Sequence, residues 1–164
     1  MRKKRKKVNK DGINVKGFYR LQIEDPDGKI SGDSGWLQNQ VVNLGFKLFL
    51  CDNIGKSSGS KQIGYVALGT GSAPGAADTG LDGEIMASTK RGAVTYANDS
   101  STTAVFTATF ASSDSFVSTA YNISNIGLFY STQTNDTLFA GNTYASSSLN
   151  TNQNVNITYE IRFS

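Results

Sequence analysis

The chain has 164 residues, 38% of them hydrophobic, and no histidine. That length suits one domain with a real core, and the apolar content excludes wholesale disorder. Without histidine, the commonest general base, the Ser-His-Asp and Cys-His arrangements and the usual zinc sets are excluded.

The net charge of +3 belongs to one end. Arg2, Lys3, Lys4, Arg5, Lys6, Lys7 and Lys10 place seven cations in the first ten residues. Nine basic residues remain against all thirteen acids, so the rest of the chain carries −4. A domain-wide basic face is therefore absent. Like charges in a block repel and stay extended unless a partner neutralises them. Residues 1–12 are read as an extended basic arm, with those seven cations as partner-binding residues for an acidic protein surface or for phosphates; the plainer reading is a solubilising tail. Val8-Asn9-Lys10-Asp11-Gly12 supplies no apolar stretch after the cations, so no signal peptide is predicted. No segment is long and apolar enough for a membrane helix, and no membrane partner is expected.

Residues 13–164 read as one β-domain. Val15, Gly17, Tyr19, Leu21 and Ile23 alternate with Lys16, Arg20, Gln22 and Glu24, the period of a half-buried strand. Asp25-Pro26-Asp27-Gly28 has the chemistry of a tight turn, and 29–31 with 35–41 would return as the hairpin's second arm. Asn43 to Asn53 is the one predicted helix, capped by Asn43, ended by Gly55, with Val42, Phe46, Phe49 and Leu50 on its buried face. Cys51, the single cysteine, follows an apolar run and is expected to be a small buried hydrophobe. Lys56 to Ser60 is read as a loop.

Ile63 to Leu68 predicts a buried strand running into Gly69-Thr70-Gly71-Ser72-Ala73-Pro74. That glycine pair lacks the Lys-Ser/Thr of a phosphate loop and the following amphipathic helix, so an ordered surface loop is expected. Gly92–Ala97 and Thr102–Ala111 form a predicted hairpin around Asn98 to Ser101, and Tyr121–Tyr130 with Asp136–Tyr144 form another. Val155, Ile157, Tyr159, Ile161 and Phe163 alternate inward on a last strand. The sum is an all-β, antiparallel β-sandwich, jelly-roll or Ig-like, with one short helix. Tyr19, Leu21, Ile23, Phe106, Phe110, Ile157, Tyr159 and Ile161 are its expected core.

No catalytic, metal-ligating or cofactor-binding residues are assigned, and the chain is read as non-enzymatic. The carboxylates sit mostly in turns, and Asp82 with Glu84, or Glu24 with Glu160, would pair only by accident of folding. Asp25 and Asp27 lack the other ligands of a calcium loop. Trp36 and Tyr144 are candidate aromatics for stacking on sugars.

Several motifs in order resemble structural proteins of tailed-bacteriophage virions. They are Asn39 and Asn43-Leu44-Gly45-Phe46, then Tyr65 to Pro74, Ala77 to Leu81, Glu84-Ile85 and Arg91. Ile126-Gly127-Leu128-Phe129 and the closing strand Val155 to Ile161 follow, so that the resemblance spans roughly residues 35–164. It implies a virion location after assembly in the host cytoplasm, and partners such as the major capsid protein or other virion proteins. It also implies self-association, a trimer being favoured. The nearest role is a capsid decoration (cement) protein anchored by its arm. The alternatives are a tail-fibre, baseplate or receptor-binding module, or a protein that binds nucleic acid through the arm alone.

Overall fold

The computed structural model describes residues 13–55, 61–85, 91–132 and 138–164; the arm at 1–12 and the loop read at 56–60 lie outside these. The described chain is an antiparallel β-sandwich made from one curled sheet. Strand β1 (Val15–Glu24) buries Gly17, Tyr19, Leu21 and Ile23 and turns the intervening residues outward, as their alternation predicts. It pairs residue for residue with the last strand, β11 (Asn154–Phe163), from Val15 opposite Phe163 to Glu24 opposite Asn154.

The other edge of β1 is shared. Near its end it pairs with β2 (Ile30–Asp33), and near its start with β3 (Leu37–Val41). The turn between β1 and β2 has the predicted chemistry: the Gly28 amide donates to the Asp25 carbonyl at 2.9 Å, and Gly28 takes the left-handed φ of +82°.

Two crossings curl the sheet into layers. Leu37 to Asn39 pair with β1, while Gln40 and Val41 pair with β10 (Leu138–Leu149). On the opposite side, β6 (Gly92–Ala93) pairs with β4 (Tyr65–Gly69), and β7 (Thr95–Ser100) pairs with β8 (Thr103–Phe110). The first layer is thus β1, β11, β8 and β7. The second is β10, β9 (Tyr121–Phe129) and β4, with the short β5 (Glu84–Ile85) at its edge.

All eight residues expected in the core are buried. Each large apolar side chain so buried contributes about 1.5–3 kcal/mol relative to exposure. The layers meet through aromatics. The Tyr19 ring packs edge-on against Tyr144 across 6.2 Å, and the Tyr19 hydroxyl donates to the Thr143 carbonyl at 2.8 Å.

Five local readings need correction. First, the helical segment exists and Gly55 ends it, but its body, Gly45–Cys51, is wound as a π-helix before one α-turn, Asp52–Ile54. The wider turn breaks the 3.6-residue register. Phe49 stays buried, while Phe46 is 41% exposed and Cys51 lies on the surface. Second, no side-chain cap is made at the helix start; the Asn43 amide donates to the Ala76 carbonyl instead. Third, Tyr144 is buried in the inter-layer contact and offers no stacking face. Fourth, β10 runs on to Leu149, because a register shift between Thr143 and Ser147 carries its polar end back into pairing with β9. Fifth, the second hairpin turns later than predicted, at Ser101-Thr102.

Candidate functional site

The predicted partner-binding cations, Arg2, Lys3, Lys4, Arg5, Lys6, Lys7 and Lys10, lie outside the described residues; the structure gives the point at which they join the sandwich. Asn14 and Ser164 exchange both backbone hydrogen bonds, at 2.7 and 3.0 Å, one step beyond β1 and β11. Ile13 is 80% exposed. The arm therefore starts at a point held on a rigid ladder. The cations nearest this end of β1 are Lys16 and Arg162, opposite one another in register. Arg162 is bound to Glu160 and lies 4.4 Å from the centre of the Phe18 ring. Glu24, Asp25 and Asp27 sit at the far end of β1, about 30 Å away at 3.4 Å per residue.

The glycine-rich stretch after β4 is an ordered loop bolted to the second layer. The Asp82 carboxylate accepts from the Ser72 amide and hydroxyl, each at 3.1 Å. The Asn125 side chain, fully buried on β9, donates to the Ser72 and Asp82 carbonyls at 3.1 and 2.8 Å. A Cβ at Gly71 would meet Asp82 at 2.5 Å, so the glycine here permits close packing. No ligand cradle is needed to explain it.

Beyond this loop, Glu84 does not pair with Asp82. Arg91 grips it through two hydrogen bonds of 2.8 and 2.9 Å, and also donates to the Ser131 carbonyl at 3.1 Å. The guanidinium lies 3.4 Å from the centre of the Phe129 ring. Glu24 and Glu160 are likewise apart. In the β1–β11 register they stand opposite Asn154 and Phe18, about 20 Å from one another along the sheet. Glu24 instead accepts from Asn156 at 2.8 Å. Asp25 and Asp27 serve the β1–β2 turn: Asp25 accepts from Ser31 and Gln153, and Asp27 from the Lys29 amide. Among the described residues no three His, Cys, Asp or Glu side chains converge as metal ligands. No helix there is long and apolar enough to cross a membrane.

One concavity among the described residues was not visible in the sequence. It is a groove of about 410 Å³ at the seam between the layers. Phe106, Ile161 and Phe163 line it from the first layer, and Phe49, Ile63 and Phe139 from the other side. Asn53, Lys61 and Gln62 supply its polar wall, and Tyr96 on β7 also lines it. These residues come from six separate stretches of chain, so no local motif marks them. Trp36, the other candidate aromatic, is 45% exposed beside the break between β2 and β3 and is not part of the groove.

Titration follows from these contacts. The Arg20 guanidinium bound to Asp33 holds that carboxyl well below its ordinary range. Hydrogen bonds from Gln153 lower Asp25, and those from the Ser72 amide lower Asp82. Burial pushes the Tyr19, Tyr144 and Tyr159 hydroxyls up. Carboxylates lowered in the folded state stabilise it fully above about 3.9, their unfolded value, and less as pH falls through the folded values. Tyrosines raised in the folded state stabilise it below about 10 and less as pH rises further. With no histidine present, denaturant unfolding followed against pH is expected to give a plateau between about pH 5 and 9, falling on both sides. A stability step between about pH 5 and 8 would contradict this assignment.

No family model, no curated protein and no solved structure matches the chain.

Proposed function

We propose that this chain is a non-enzymatic virion protein of a tailed bacteriophage, most simply a capsid decoration (cement) protein. The sandwich docks on the shell and the arm anchors it to the major capsid protein or a neighbouring virion protein, as part of a trimer. One observation carries the reading: seven cations are confined to the first ten residues, while the rest of the chain is at −4. A charge set apart in this way brings its contact energy to one extended segment. The ordered motifs from Asn39 to Ile161 point to the same class of protein. The paired backbone at Asn14 and Ser164 supports it too, because an anchor transmits force only if its root is fixed.

The half-exposed Trp36 favours a second reading, a tail-fibre or receptor-binding module that stacks on a sugar. Copy number separates the two, since a shell protein is present in hundreds of copies and a tail module in a handful.

Deleting residues 2–7 tests the anchor. Exposed ion pairs are worth about 0–1 kcal/mol each. Six lost together from a docked domain should weaken particle binding by about a hundredfold. The remaining affinity should lose most of its salt dependence, because such contacts are screened beyond about 8 Å at physiological ionic strength. The melting temperature should not move, since the first ladder contact among the described residues is at Asn14. Unchanged binding and salt slope would reduce the arm to a solubilising tail. Affinity for DNA lost on the same deletion, with particle binding intact, would favour the nucleic-acid role.

A further inference from the structure

We infer that the groove between the layers binds a medium-chain monocarboxylate, with its chain among the aromatics and its carboxylate on Lys61. The volume, about 410 Å³, lies in the range of small-ligand clefts. The polarity of the wall is one-sided. Phe106, Ile161 and Phe163 from the sheet and Phe49 and Phe139 opposite give an apolar trough. Asn53, Lys61 and Gln62 gather the polar groups on one flank. A ligand that suits both parts is amphipathic, with a single polar end.

The charge at that end follows from Lys61. The three arginines that form ion pairs among the described residues, Arg20, Arg91 and Arg162, each have a carboxylate. Lys61 forms none there; its ammonium lies 4.3 Å from the centre of the Tyr130 ring. Among the described residues no acid lines the groove. Lys61 is the one cation among the described lining residues, and a single lysine beside an apolar trough selects one anionic group. The Asn53 amide cannot do so, because its Nδ2 is spent on the Phe49 and Lys61 carbonyls at 2.9 and 2.7 Å, which fix the wall in place.

The test is calorimetric titration of the full chain with monomeric octanoate, decanoate and decan-1-ol. Decanoate is expected to bind more tightly than octanoate by about fourfold per added CH₂, because the chain is buried. Lys61→Met should weaken decanoate by about fivefold, the size of a partly exposed ion pair, and leave decan-1-ol unchanged. Ala104 on β8 also lines the groove, so Ala104→Trp, which fills the trough, should abolish both. Its fold is checked by circular dichroism, and Lys61→Met, at a side chain outside the buried core, keeps the proposal testable if the tryptophan variant does not fold. Absence of decanoate binding up to about 10 mM would overturn the inference. So would equal loss of decanoate and decan-1-ol in Lys61→Met, which would mean that the lysine only shapes the wall.

Discussion

Replacing Arg91 with Met is expected to destabilise the fold by about 3–5 kcal/mol, the cost of leaving a buried charge without its partner. The Arg91 side chain is fully buried and that of Glu84 is only 8% exposed. The guanidinium satisfies the carboxylate at both oxygens, closes on the Ser131 carbonyl and covers the Phe129 ring. Methionine keeps much of the apolar contact but removes the charge, the hydrogen bond to the Ser131 carbonyl and the cation over the Phe129 ring, so the ion-pair share is read from the cycle with Glu84→Gln. Combining it with Glu84→Gln removes the stranded anion, and the double variant should recover at least half of the loss. For a chain of this length the single variant's drop corresponds to about 6–20 °C in melting temperature. Urea unfolding of the two single variants and the double variant closes the cycle. If Arg91→Met alone costs no more than the double variant, the pair is not what holds β5 to the body.

The second large effect is expected at Gly17. A Cβ there would run into the Asn39 side chain. Asn39 cannot swing away freely, because it is buried and its Nδ2 donates to the hydroxyl of fully buried Tyr159. Gly17→Ala should therefore cost about 1–3 kcal/mol from overpacking. Asn39→Ala should cost about 1–3 kcal/mol on its own, by leaving the Tyr159 hydroxyl unpaired in the core. The two should not add. Once Asn39 is trimmed the methyl at 17 has room, so the double variant should be more stable than the sum predicts by about 0.5–3 kcal/mol. Strict additivity would show that the clash relaxes by backbone movement and that Asn39 is not the constraint.

These two sites give physical content to residues singled out by motif. Asn39, Gly45, Glu84, Arg91 and Gly127 belong to the pattern that resembles virion proteins, and several hold the fold at points of close approach. A Cβ at Gly45 would strike the Phe139 carbonyl, and one at Gly127 would lie 2.8 Å from a Leu138 methyl. Asn39 ties β3 to β11, and Arg91 ties the segment entering β6 to β5. In this chain the motif residues are fold determinants. The functional proposal rests instead on the separation of charge.

The alternation along β1 and β11 was enough to place their inward faces, because a strand's two faces differ by one residue and burial selects one of them. The turn at Asp25 to Gly28 was legible for a similar reason: its conformation is set by the residues in it. Likewise the gathering of seven cations in the first ten residues is evident from the sequence alone. Tertiary structure decided everything that depends on which segments meet. It wound Gly45–Cys51 as a π-helix, and so put Cys51 and Phe46 outside. It buried Tyr144 against Tyr19, and gave Glu84 to Arg91 instead of Asp82. It also assembled the groove from residues as far apart as Phe49 and Phe163. Periodicity reports how one segment divides its faces between core and water; the partner across the core is chosen by packing between segments distant in the chain, which no local pattern encodes.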